Sequence, residues 1–123
     1  TIDAVVPGGC HLGGYIIPGL MATAEVLQRK TARVRFNTDE WSNDVGFGRN
    51  TRQAASNGIL RSQVALVEGV VRELAGSGEE GARRRPVNVL ATGGDAHLLV
   101  SCLSVPCAIV SDLVFKGIEI LMP

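Results

Sequence analysis

Threonines and glycines, not histidines or paired carboxylates, are the residues of this chain best suited to hold a polar substrate. Thr92, Gly93, Gly94 and Asp95 stand where a short apolar segment, Val87 to Ala91, gives way to a helical pattern. Open α/β sheets take up ligands at such junctions, and two successive glycines let a base or ribose lie flat against the backbone. A tight turn with no ligand has the same sequence. A second junction runs from Gly13 and Gly14 through Tyr15, Ile16 and Ile17 to Pro18 and Gly19. There an apolar strand ends in two glycine hinges just ahead of a helix, whose N-terminus favours a phosphate or carboxylate; the alternative is again a plain strand-to-helix turn. Thr51 occupies the first turn of the longest helical pattern. Its hydroxyl either caps that helix or hydrogen-bonds a polar substrate.

The usual catalytic constellations are missing. Gly46, Phe47, Gly48, Arg49, Asn50, Thr51 has the outline of a dinucleotide fingerprint but lacks the third glycine and a preceding strand, and no Gly-Lys-Ser/Thr phosphate loop occurs. His11 and His97 have no carboxylate or cysteine at metal-ligand spacing, which assigns them structural roles. Asp3, Asp95 and Asp112 lie near element ends without forming an acid/base pair. Cys10, Cys102 and Cys107 match neither a zinc nor a CxxC spacing and are expected to be buried free thiols. These loops can bind, but no residue offers itself as a base.

Thr1 to Val6 and His11 to Ile17 are apolar and rich in β-branched residues, and Pro7, Gly8, Gly9, Cys10 between them has hairpin chemistry. Leu20, Ala24, Leu27 and Thr31 recur at helical spacing for about three turns. Residues 32 to 48, with Trp41 among polar neighbours, read as a long loop. Asn50 and Gln53 form an N-cap pair that opens a helix ending near Ala75. Its apolar face is broad: Ala55, Ile59, Leu66, Val70 and Leu74 make one stripe, flanked by Leu60, Val64, Val67 and Val71. Glu68 and Arg72 are spaced as an i, i+4 pair opposite. Residues 76 to 86 have the composition of a mobile surface loop. Then come a short buried strand over Val87 to Ala91, a helix from Asp95 to about Leu103, a strand over Cys107 to Val110, and a last helix capped by Ser111 and Asp112. No internal repeat is visible.

At 123 residues with 46% hydrophobic but only 4% aromatic side chains, a single core of Val, Ile, Leu and Ala suits layered α/β packing. Twelve basic and twelve acidic residues cancel, so no long-range field draws the chain to nucleic acid or anionic lipid. Arg83, Arg84 and Arg85 adjoin Glu79 and Glu80 and lack interleaved aromatics, which makes them a solvated loop and not a nucleic-acid patch. No apolar run nears the roughly 18 residues of a membrane span, and the opening residues do not form a cationic, apolar, small-residue leader. The chain reads as soluble and cytoplasmic. It begins at Thr1 as if inside a strand, either processed or preceded by a further portion.

In order and spacing, Thr1, Ile2, Asp3; His11 through Gly14; Ile17 through Leu20; Thr31, Ala32; Asn50, Thr51; Gly58; Thr92 through Asp95; and Asp112 through Phe115 with Gly117 resemble the C-terminal half of a type III pantothenate kinase. That family belongs to the superfamily uniting acetate and sugar kinases with actin. The resemblance covers nearly the whole chain. It implies a ribonuclease H-like half of an actin-like kinase, with residues 1–123 as the C-terminal domain of two. It implies ATP-dependent phosphorylation of pantothenate to 4'-phosphopantothenate, with Mg2+ and a monovalent cation, K+ or NH4+, in a homodimer. The family's pantothenate-contacting threonine, contributed across the dimer, falls on Thr51, and its adenosine motif on Thr92, Gly93 and Gly94. Gly13, Gly14, Pro18 and Gly19 would shape the cleft.

Only the last threonine of the family's second phosphate motif is present, as Thr1, so the cation-binding aspartate, the first phosphate loop and the Gly-x-Asp-Arg segment with the general base belong upstream. A chain without them is expected not to turn over alone, and no catalytic or metal-binding residue is assigned within it. Arg33, Val34, Arg35 replace a common Leu-Pro, and residues 37 to 48 differ from the commonest form of the substrate loop. Two rivals stay open: a non-enzymatic accessory factor for transcription, as some relatives are named, and another superfamily kinase acting on a sugar or acetate.

Overall fold

The computed structural model describes residues 1–35, 37, 41–76 and 86–122. It opens with the expected hairpin, β1 (Ile2–Val6) and β2 (Cys10–Tyr15), paired antiparallel. Gly13 and Gly14 lie inside β2 and do not end it. Gly13 takes a φ of 129° beside a register shift between Ala4 and Val5, and a Cβ on Gly14 would run into the Ile2 carbonyl oxygen. The pair therefore serves a bulge and a close strand approach. The chain reverses over Ile16 to Gly19 instead.

Two helices build the core. α1 (Leu20–Lys30) has the three turns its spacing predicts, with Arg29 and Lys30 in its last turn countering the negative end of the helix dipole. α2 (Thr51–Ala75) opens on Asn50, whose Oδ1 accepts the Gln53 amide at 3.0 Å, while Gln53 Oε1 accepts the Arg49 amide at 3.0 Å. This is a capping box with its return bond moved out by one residue. Leu20 and Ala24 pack on Ile59, Leu60 and Val64, and Val34, Trp41, Val45, Leu98, Leu99 and Leu103 close around them. Residues 32–48 hold no helix or strand among those described, yet Val34, Trp41 and Val45 anchor the segment to the core.

β3 (Val89–Ala91), α3 (Ala96–Cys102) and β4 (Cys107–Ile109) form a parallel unit with a helical crossover, and α4 (Leu113–Leu121) follows. The architecture is mixed α/β, with β1–β2 and β3–β4 as separate two-stranded sheets. No helix among the described residues is long and apolar enough to cross a membrane.

Several expectations need correction. β3 is not buried: Leu90 is 55% exposed, with nothing among the described residues covering that side. The apolar face of α2 is sealed from Ile59 to Val64 only, and Leu66, Val70 and Leu74 are half-buried. The cysteines are not buried, since Cys10 is exposed and Cys102 and Cys107 are intermediate; partial burial still raises the Cys107 thiol pKa. Asp112 caps no amide with its side chain and pairs instead with Lys116 Nζ at 3.0 Å, which lowers its pKa. Of the segment read as a mobile loop, residues 77–85, including Arg83 to Arg85, lie outside the described residues.

Candidate functional site

Thr51 heads α2, exposed, and its hydroxyl makes no hydrogen bond among the described residues. The cap that Thr51 could have formed is supplied by Asn50, because a residue at the N-cap position has the extended backbone that aims its side chain at the third amide. That leaves the Thr51 Oγ1 available to a ligand, at the positive end of a helix of 25 residues. Exposed Arg49 and Arg52 flank it and favour a carboxylate or phosphate group.

The loop leading to Thr51 is pinned at several points. Asp44 Oδ1 accepts the Gly46 amide at 2.8 Å, and the Gly46 carbonyl accepts Asn57 Nδ2 at 3.1 Å. Ser42 Oγ accepts the Asp44 amide at 3.1 Å, and Cys102 Sγ donates to the Asn43 carbonyl at 3.4 Å. Gly48 lies so close to α2 that a Cβ there would strike the Gln53–Ala54 peptide. Thr51 is thus presented by a fixed ledge.

Thr92, Gly93 and Gly94 follow β3. Gly93 has a φ of 100°, a conformation that L side chains rarely adopt, and its carbonyl accepts the Ala96 amide at 3.2 Å to start α3. A Cβ at either glycine would meet nothing within 4 Å, so open space lies along the backbone where a flat ring would fit. The Thr92 hydroxyl donates to the Ser111 carbonyl at 3.5 Å, joining the ends of the two parallel strands. α3 packs on α2, which ties this turn to the helix that carries Thr51.

Pro18 and Gly19 are fixed from the same helix. The Pro18 carbonyl accepts Gln63 Nε2 at 3.0 Å, and Gly19 is the N-cap residue of α1. Gly13 and Gly14 are not beside them. They line a groove of about 270 Å³ between the hairpin and the last turns of α2, with Tyr15, Val70, Glu73 and Leu74. Val70 lies nineteen residues along α2 from Thr51, about 28 Å at 1.5 Å per residue.

Sequence reasoning overlooked two side chains and missed the partners of two more. Asn57 and Gln63 are buried amides on the apolar face of α2, each spent on a loop carbonyl. The signal was present: at 57, 60, 64 and at 60, 63, 67 an amide interrupts helical apolar spacing, and a buried amide needs a partner. Glu68 does not pair with Arg72; its Oε1 accepts the Ser104 hydroxyl at 2.7 Å and the Ser104 amide at 2.8 Å. Those bonds, hydroxyl first, lower its pKa, with Arg61 and Arg72 adding through charge. His11 does have a carboxylate partner, since Nε2 lies 3.0 Å from Asp3 Oδ1 across the hairpin; both are well exposed.

A family model described as type III pantothenate kinase matches residues 1–73. The type III pantothenate kinase of Chromohalobacter salexigens is 40% identical over 124 residues, covering 100% of this chain and 43% of its own. That of Alcanivorax borkumensis is 39% identical over 119 residues, 97% of this chain and 46% of its own. That of Pseudomonas paraeruginosa is 34% identical, covering 100% and 48%. The chain spans about half the length of the curated relatives it matches and corresponds to their C-terminal part. A Campylobacter jejuni crystal structure, described as a conserved candidate Baf family transcriptional activator, shares the fold. Its TM-score is 0.68 at 24% identity, over 98% of this chain and 50% of that one.

Proposed function

The chain belongs to the type III pantothenate kinase family, and on that premise we propose that it supplies the C-terminal half of the site in an ATP-dependent, cytoplasmic pantothenate kinase. The reaction makes 4'-phosphopantothenate, the first step of coenzyme A synthesis. One observation carries this reading: Thr51, at the family's pantothenate-contacting position, has a hydroxyl with no hydrogen-bond partner among the described residues, on a fixed ledge at a helix N-terminus.

In phosphoryl transfer the substrate hydroxyl oxygen attacks the γ-phosphorus, the bond to ADP breaks, and the protein mainly positions the reactants and neutralises charge. This chain's share is positioning. Thr51 hydrogen-bonds pantothenate, across the homodimer as in the family, while the dipole of α2 and Arg49 favour its carboxylate. Thr92, Gly93 and Gly94 admit the adenosine along open backbone. Pro18 and Gly19 shape the cleft without touching pantothenate, whereas Gly13 and Gly14 line the groove at the other end of α2 and are given no part in it. The base that accepts the hydroxyl proton belongs to the N-terminal half. The aspartate that binds the monovalent cation in the family belongs, by the resemblance, to that half as well.

Thr51→Val in the full-length protein tests the assignment. The lost hydrogen bond is expected to raise the KM for pantothenate about tenfold and to leave the KM for ATP within about twofold. Equal changes in both would remove Thr51 from the pantothenate site. A second reading, a transcriptional accessory, is favoured by the description of the Campylobacter jejuni relative. It requires that no pantothenate-dependent ADP release occurs.

A further inference from the structure

We infer that Asn57, working with Asp44, is a positioning residue for pantothenate, fixing the loop that carries Thr51; this rests on Thr51 contacting that substrate. Asn57 is 5% exposed, on a helix face it shares with Ile59, Leu60 and Val64 and one other buried amide, Gln63. An aliphatic side chain would serve packing better there, because an amide in such a site costs stability unless it is bonded. Its Nδ2 is spent on the carbonyl of Gly46, five residues before Thr51, at 3.1 Å. Asp44 holds the other side of that peptide through the Gly46 amide at 2.8 Å. Gly46 is therefore gripped at both its N–H and its C=O, while Gly48 is pressed against α2 with no room for a Cβ. Only Oδ1 of Asn57 faces its own helix, accepting the Ser56 hydroxyl at 3.4 Å. This grip matters for chemistry because a binding group displaced by a fraction of an ångström loses most of its hydrogen bond.

The test uses the full-length protein, with KM for pantothenate and for ATP, melting temperature, and amide exchange at Gly46 and Arg49. Asp44 lies on the exposed loop, so Asp44→Ala leaves the core intact where Asn57→Ala opens it. Both variants are expected to raise the pantothenate KM about threefold to tenfold with the ATP KM unchanged and to speed exchange at Gly46. Asp44→Asn keeps an acceptor oxygen for the Gly46 amide and is expected to restore the parent values, which a purely electrostatic role of Asp44 would not allow. If Thr51→Val raises the pantothenate KM but folded Asp44→Ala and Asn57→Ala do not, the positioning role is overturned and the substrate reading stands. Equal rises in both KM values, meaning general loosening, overturn it too. If Thr51→Val itself has no effect, the substrate reading fails and the positioning role falls with it, even where faster exchange shows the grip to be real.

Discussion

At the scale of single residues, local chemistry was legible and distant partners were not. Asn50 and Gln53 lie three residues apart, so a cap was readable from spacing alone. Gln63 and Pro18 are 45 residues apart, and Glu68 and Ser104 are 36 apart, so only the folded chain joins them. Helical spacing offered Arg72 to Glu68, but an exposed i, i+4 ion pair is worth little. Two hydrogen bonds from one serine win over it. They hold the Glu68 carboxyl below its ordinary range. A depressed folded pKa contributes stability above the unfolded value, about 4.3, and that contribution is lost as pH falls through the folded value. Ser104→Ala is expected to lower the melting temperature at pH 7, with the gap to the parent narrowing as pH drops below about 4. A gap that stays constant from pH 7 to pH 3 would contradict the role given to these bonds.

At the scale of elements, the hairpin, α1 and α2 follow from period and cap, while what each element touches does not. Gly13 and Gly14 show the difference. Two glycines near a strand end read as hinges, but Gly13 opposite Ala4 and Gly14 opposite Asp3, beside the register shift between Ala4 and Val5, belong to a bulge. Gly14→Ala forces a methyl group against the Ile2 carbonyl oxygen and is expected to destabilise the protein by about 1–3 kcal/mol in denaturant unfolding. Gln63→Leu tests how α1 is seated. It removes the donor from the Pro18 carbonyl, an expected loss of about 1–3 kcal/mol. A neutral Gln63→Leu would mean that the Thr23 hydroxyl, which also donates to the Pro18 carbonyl at 3.5 Å, and packing hold this segment without it. Thr51 and the Gly93–Gly94 turn could be singled out in the sequence because they stand at element junctions, and the structure places them there; their part in binding is our proposal. The ledge before Thr51 could not, because Asp44, Gly46 and Asn57 are ordinary loop and helix residues until their bonds are seen.

At the scale of the whole molecule, α4 is the element the chain cannot bury. Phe115 is 70%, Ile120 80% and Leu121 82% exposed, on a helix apolar on nearly every side. A helix of that kind is stable in water only when covered. We assign the covering surface to the N-terminal half, since the chain spans about half the length of its relatives. The isolated chain is expected to bind a hydrophobic dye and to sediment as species larger than a dimer, and the full-length protein to bind no dye and to sediment as a dimer. We propose the same division of labour for the chemistry, with substrate-positioning groups in this half and phosphate, cation and base groups in the other. The most direct test is ADP release by the full-length protein on addition of pantothenate, with acetate and sugars as controls. The account predicts release that depends on pantothenate and is absent both with the controls and with residues 1–123 alone; no pantothenate-dependent release from the folded full-length protein would contradict it.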